Sequence, residues 1–202
     1  MDTDRPLDRR TAVPALVGDP SDLLVVCGLA GAAKDMAHLT GDGDNVYALA
    51  GAMGGATAMG LGLALSRPDR QVLVVTGDGE LLMNVGTLAT VGVMQPPNLS
   101  ILCVDNGHYG ETGYQPTHTQ RGVDLEVIAR GSAIPVTRSV STPDEIAPAA
   151  RLLREGNGPR FILLRVGIEP PPAVRRSLDA AERKTAFRAA LRASRTADQA
   201  SE

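Results

Sequence analysis

Two short runs carry residue types suited to holding a charged ligand. Gly77-Asp78-Gly79-Glu80 sets a carboxylate between two glycines, and Asp105-Asn106-Gly107-His108-Tyr109-Gly110 sets a carboxylate and an amide oxygen beside two more. Residues 80–104 separate Gly79 from Asp105. A carboxylate and an amide oxygen delivered by adjacent strand ends suit a hard, oxygen-seeking cation such as Mg2+. A helix opening beside Asp78 offers backbone N–H groups to a phosphate. A glycine-flanked Asp alone is commonly a turn, so the specificity lies in the pair.

These runs must be held by strands, and the chain supplies them. Short β-branched runs predict strands at Leu23–Cys27, Gln71–Thr76, Leu99–Val104, Ile134–Val140 and Phe161–Val166. Helical patterns predict helices at Ala32–Leu39, Met53–Ser66, Leu81–Val93, Leu125–Arg130 and Pro143–Arg154. The last is opened by Thr142 as cap and Pro143 at the first helical position. Alternating strands and helices predict an α/β class: a doubly wound parallel sheet with helices on both faces. Ligands bind such sheets beyond the carboxyl ends of the strands, where both runs fall. The organisation reads as a loose segment at 1–20, an α/β domain at 21–168, and a Pro-rich connection, helix and tail at 169–202. The terminal helix is expected over Ser177–Ser194, docked through Phe187 and Leu191, and the last eight residues read as loose.

Composition narrows the function. The 202 residues are 43% hydrophobic with 22 glycines and only five aromatics, so the core must be aliphatic. Twenty basic against 23 acidic residues give a net charge of −3, which disfavours a nucleic-acid partner. Cys27 and Cys103 belong to no CxxC pair, which excludes a zinc or iron–sulfur framework and a disulfide scaffold. The charged stretch Met1–Arg10 lacks a secretory apolar run, so a cytoplasmic location is expected. Val46–Leu65 carries no charge, but eleven of its twenty residues are Gly or Ala, too little bulk for a membrane span.

The paired runs resemble the signature of thiamine diphosphate-dependent enzymes, a Gly-Asp-Gly followed by Asn-Asn, with Asp105 in place of the first Asn. Over residues 22–192 the chain is similar to the diphosphate-binding half of sulfopyruvate and phosphonopyruvate decarboxylases, and in particular to the small β-type subunits of two-component enzymes. Ala50-Gly51-Ala52-Met53-Gly54, Gly86-Thr87-Leu88-Ala89-Thr90 and the run from Asp105 to Thr119 carry that likeness. The resemblance implies thiamine diphosphate and Mg2+ as cofactors. It implies Asp78, Asn106 and the His108 main-chain carbonyl as metal ligands, and Gly77, Gly79, Glu80 and Tyr109 around the cofactor. It implies that the Gly51 carbonyl receives the pyrimidine amino group and that Met53 wedges the cofactor into its bent form, where a methionine would otherwise fill core space. Two departures stand out. Glu80 replaces a small residue, and the loop Gly28-Leu29-Ala30-Gly31 lacks the hydroxyls that relatives aim at the diphosphate.

In this chemistry the cofactor accepts the electrons released when a 2-oxo acid loses CO2. Family members activate it with a glutamate from a second, pyrimidine-binding domain, for which 202 residues leave no room. The chain is therefore expected to be inactive alone and to act in a hetero-oligomer with an α-type partner supplying that glutamate. Glu111, Gln115 and His118, on a loop with three glycines, are the candidates for substrate and proton-transfer contacts. Two other readings stay open: an acetolactate synthase-like carboligase subunit and a non-catalytic binding or assembly subunit.

Overall fold

The structure is a computed structural model that describes residues 6–199. Its main sheet contains β1 (Leu24–Cys27), β2 (Val46–Ala48), β3 (Val72–Gly77), β4 (Leu99–Asp105), β7 (Val136–Val140) and β8 (Arg160–Arg165). All pairings are parallel, in the order β2-β1-β3-β4-β8-β7. Around it lie α1 (Arg9–Val17), α2 (Gly31–Thr40), α3 (Ala56–Ser66), α4 (Asp78–Leu82), α5 (Thr87–Met94), α6 (Leu125–Gly131), α7 (Pro143–Glu155) and α8 (Ala180–Gln199). The fold is the expected doubly wound α/β sandwich.

The twofold period of the strands divides the core in two. Val25, Cys27, Val75 and Val104 pack with Val13, Leu16, Met36 and Leu153 under α1, α2 and α7. Leu24, Val26, Val74 and Ile101 pack with Leu61, Leu88, Leu125 and Phe187 under α3, α5, α6 and α8. Each such aliphatic side chain contributes about 1.5–3 kcal/mol on burial, and β4 is buried along its whole length. Cys27 and Cys103 are buried free thiols, and burial pushes Cys27 up to about 12. Among the described residues no helix is long and apolar enough to cross a membrane.

The five predicted strands and the helices expected at Ala32–Leu39, Leu125–Arg130 and Pro143–Arg154 are present within a residue or two of their expected ends, and other elements differ for local reasons. Residues 1–20 were expected to be loose, but α1 lies among them. Asp8 caps it by accepting the Arg10 N–H at 2.9 Å, Gly18 closes it at φ +67°, and Ala12, Val13, Leu16 and Val17 are buried. Strand β2 is a three-residue edge strand inside the uncharged run, too short to show a period. The single helix expected at Leu81–Val93 is two, because i→i+3 bonds from Met83 and Asn84 end α4 while Asn84 turns to the Gly54 carbonyl at 3.1 Å. Helix α3 starts at Ala56 rather than Met53, after Gly54 at φ +80°. A two-stranded ribbon, β5 (His108–Tyr109) with β6 (Gln115–Pro116), was not expected. The expected docking of α8 holds at Phe187, whose ring meets Tyr47 at 5.6 Å between centroids. The loose tail falls partly at 200–202, outside the described residues, while α8 runs to Gln199.

One topological consequence positions the site. Strands β1 and β3 are neighbours, yet the connection after β1 runs through α2 on one face and the connection into β3 runs through α3 on the other. Their carboxyl ends therefore open a crevice at the switch point of the sheet, where ligands bind in this architecture.

Candidate functional site

The register of β3 and β4 brings the two sequence runs together. Gly77 lies opposite Val104, so Asp78 and Asp105 leave the ends of neighbouring strands side by side. Asp78 is 2% exposed. Its Oδ2 accepts the Thr117 hydroxyl at 2.5 Å, and Thr119 Oγ1 lies 3.2 Å from the same oxygen. Thr119 has one proton, and its shorter contact is to Asp105 Oδ1 at 2.8 Å, which also accepts the Gly107 N–H at 3.0 Å. Burial first, and then the charge of Asp105, push Asp78 up to about 6, against the two threonine hydroxyls. A cation placed there would favour the charged form. Asn106 Oδ1 accepts the His108 N–H at 3.2 Å, which fixes the amide and leaves a second lone pair.

Asp78 and Asn106 line one cavity of about 250 Å3 in the crevice. Gly77, Asp78, Gly79, Glu80, Asn106, His108, Tyr109, Met53 and Glu111 all face it, while Gly51, Gln115 and His118 are not among its lining residues. His118 is exposed ahead of a 3-10 turn at Thr119–Arg121, and Gln115 is engaged with Thr112 at 2.8 and 2.9 Å. Met53 is 36% exposed, so it is not a core filler. The Tyr109 ring lies on Gly79 so closely that a Cβ there would sit 2.3 Å from it. At the mouth, Lys34 Nζ meets Glu111 Oε1 at 3.1 Å.

Glu80 points inward. It is 4% exposed, and its Oε2 accepts the Leu29 N–H at 3.2 Å. Burial pushes its carboxyl above the ordinary range, opposed by the Thr76 hydroxyl and by the N–H groups of Leu29, Gly77 and Gly54. Oε1 nevertheless closes no hydrogen bond of good geometry among the described residues.

Residues 32–164 match the thiamine pyrophosphate enzyme, C-terminal TPP binding domain. The chain belongs to the thiamine pyrophosphate enzyme family. This TPP-binding domain is 41% identical over 111 residues to the sulfopyruvate decarboxylase subunit beta of Methanocaldococcus jannaschii, covering 55% of this chain and 58% of that one. It is 33% identical to the corresponding subunit of Methanococcus maripaludis, covering 78% and 83%. With the phosphonopyruvate decarboxylase of Streptomyces viridochromogenes it shares 36% identity, over 73% of this chain but only 36% of that longer one. The solved thiamine diphosphate-dependent 4-hydroxybenzoylformate decarboxylase of Rhodococcus jostii RHA1 has the same fold, with a TM-score of 0.67 at 21% identity over 84% of this chain and 34% of that one.

Several residues that form or support the TPP-binding domain's cavity escape a reading by local motif. Thr117 and Thr119 reach Asp78 across about 40 positions of chain. Arg9 comes from α1, ahead of the matched residues; it lines the cavity and is held by Asp35 in a buried pair at 2.5 Å. A Thr-x-Thr just past a glycine-rich loop is the one signal that could have found the first two.

Proposed function

We propose that this chain is the thiamine diphosphate- and Mg2+-binding β-type subunit of a two-component 2-oxo acid decarboxylase of the sulfopyruvate/phosphonopyruvate kind. The observation that carries the reading is the convergence of the buried Asp78 carboxylate and the fixed Asn106 amide on one cavity at the switch point. This donor set fits a magnesium ion: oxygen ligands, one of them a carboxylate whose burial beside Asp105 calls for a cation. Asp78, Asn106 and the His108 carbonyl would hold the metal, and the backbone at Gly77 and Gly79 would face the diphosphate. When bound, thiamine diphosphate supplies the electron sink for loss of CO2 from a 2-oxo acid.

The protein's own part is positioning. Met53 presents an apolar surface at the mouth, and Gly51, at φ +89°, leaves its neighbouring backbone clear of side chains. The ribbon β5/β6 forms the base of a loop whose Glu111 faces the cavity, so that of Glu111, Gln115 and His118 it is Glu111 that is placed to meet substrate. Gln115 and His118 would meet it only through movement of that loop. Residues 21–168, joined by α1, form the cofactor-binding unit, and 169–202 form the connection, helix and tail.

The activating glutamate would come from a pyrimidine-binding α-type partner in a cytoplasmic hetero-oligomer. Two things support this: relatives of matching length are named as β subunits, and α3 and α5 carry exposed apolar side chains with no charge among them. Of the exposed apolar side chains Met53, Met59, Met83, Val93 and Met94, Met53 lines the cavity itself. Calorimetric titration of thiamine diphosphate with Mg2+ tests the site, with Asp78→Ala as control: metal-dependent heat in the wild type alone is expected. CO2 release from a 2-oxo acid should require the co-purified partner, and turnover by the isolated chain would overturn the two-component reading.

A further inference from the structure

We propose that Glu80 is an internal anion that occupies the phosphate cradle between the ends of β1 and β3, so that a diphosphate enters only as its magnesium complex and by displacing this carboxylate. The inference rests on the reading that the cavity takes a diphosphate.

Three observations converge. The first is direction: Glu80 stands in the first turn of α4, yet its side chain turns away from solvent and its Oε2 accepts the Leu29 N–H. That N–H belongs to the loop leading into α2, which offers an anion backbone N–H groups alone, because Gly28-Leu29-Ala30-Gly31 contains no hydroxyl. The second is room: a Cβ on Gly28 would lie 1.5 Å from Glu80 Oε2, so the carboxylate sits in the notch that this glycine leaves. The third is incompleteness. Glu80 Oε1 is buried and closes no hydrogen bond of good geometry among the described residues, while Ala30, the cap position of α2, supplies no side-chain cap, and Ala30, Gly31 and Ala32 line the same cavity. A buried charged acceptor with a lone pair that accepts no well-aligned hydrogen bond is a poor resting state, and it favours exchange for an anion that satisfies more donors.

The consequence is selectivity. Free phosphate meets a like charge already in place, whereas a diphosphate carrying its own Mg2+ brings the cation that Asp78 and Asn106 are set to receive. Glu80 thereby makes binding strictly dependent on the metal.

The test uses the full chain with pyrophosphate as probe, titrated calorimetrically with and without Mg2+, for wild type, Glu80→Gln and Glu80→Ser. The Gln variant keeps the shape and an acceptor for Leu29, so it reports charge alone if the Ser variant folds poorly; circular-dichroism melts check both. Magnesium pyrophosphate is expected to bind at least about tenfold tighter to Glu80→Ser, a change of about 1.4 kcal/mol. Glu80→Gln should gain less, and both should gain measurable binding without Mg2+. If wild type binds and both variants bind equally or more weakly, the internal-anion role is wrong while the diphosphate reading stands. If none of the three takes up pyrophosphate or thiamine diphosphate, the diphosphate reading fails and this inference falls with it.

Discussion

The Thr117 hydroxyl donates to the Asp78 carboxylate at 2.5 Å in a position where neither is reached by water. A residue from the end of the glycine-rich loop thus fixes the side chain at the heart of the crevice. Thr117→Val removes the donor at nearly constant volume. The lost charge-assisted bond should cost about 1.5–3 kcal/mol in urea unfolding and weaken magnesium-dependent binding of thiamine diphosphate. Unchanged unfolding would mean that the contact is incidental.

Asp78→Asn separates holding a metal from holding the fold. In the metal-free chain the carboxylate is buried beside Asp105, so neutralising it should leave thermal stability equal or higher while abolishing Mg2+-dependent binding. A large drop in Tm together with lost binding would instead mark Asp78 as structural.

Arg9 and Asp35 form an ion pair in which both side chains are almost wholly buried. Arg9→Ala and Asp35→Ala should each destabilise by about 3–5 kcal/mol, because each leaves an uncompensated charge in the interior. The double variant should lose less than the sum of the two. A double-mutant cycle by denaturant unfolding measures this, and simple additivity would show that α1 is not anchored through this pair.

Two glycines on α3 should respond in opposite directions. A Cβ at Gly60 would fall 2.1 Å from Val74 Cγ2 in the core, whereas at Gly62 it meets nothing within 4 Å. Gly60→Ala should destabilise by about 1–3 kcal/mol through overpacking. Gly62→Ala should stabilise by about 0.5–1 kcal/mol through helix propensity. Thermal melts of the two variants decide.

The capping box of α7 supplies a pH test. Glu145 accepts the Ser141 N–H at 2.7 Å and the Thr142 N–H at 3.0 Å, chiefly the former holding its carboxyl below its ordinary 4.5. A carboxyl lowered in the folded state stabilises fully above its unfolded value, and that contribution fades as pH falls through the folded one. Glu145→Ala should therefore cost about 1 kcal/mol near neutral pH and nothing near pH 2. A difference independent of pH would point to helix propensity rather than the cap.

Much of this arrangement is legible in the chain itself, because it is local. The apolar runs of β3, β4 and β8 announce buried parallel strands, and Thr142-Pro143 announces α7. Asp78 and Asn106 are readable because each follows its strand directly. Helix α1 is masked by Pro14 and by charges at its start, although Asp8 is a legitimate cap signal. The direction of Glu80 is illegible for a different reason. It is decided by the space at Gly28 and the N–H of Leu29, about fifty positions away in sequence and joined to it only through the β1–β3 register.

The two rims of the sheet limit how a second chain can join this one. β2 is three residues long, and α8 lies over it, with Arg183 donating to the carbonyls of Asp42, Gly43 and Val46. β7, at the other rim, carries Thr137, Arg138 and Ser139, with Arg138 exposed. A short covered rim and a charged polar one both resist strand addition. Growth of the sheet from chain to chain is thereby disfavoured, which leaves helix surfaces such as those of α3 and α5, whose outward residues bear no charge at all.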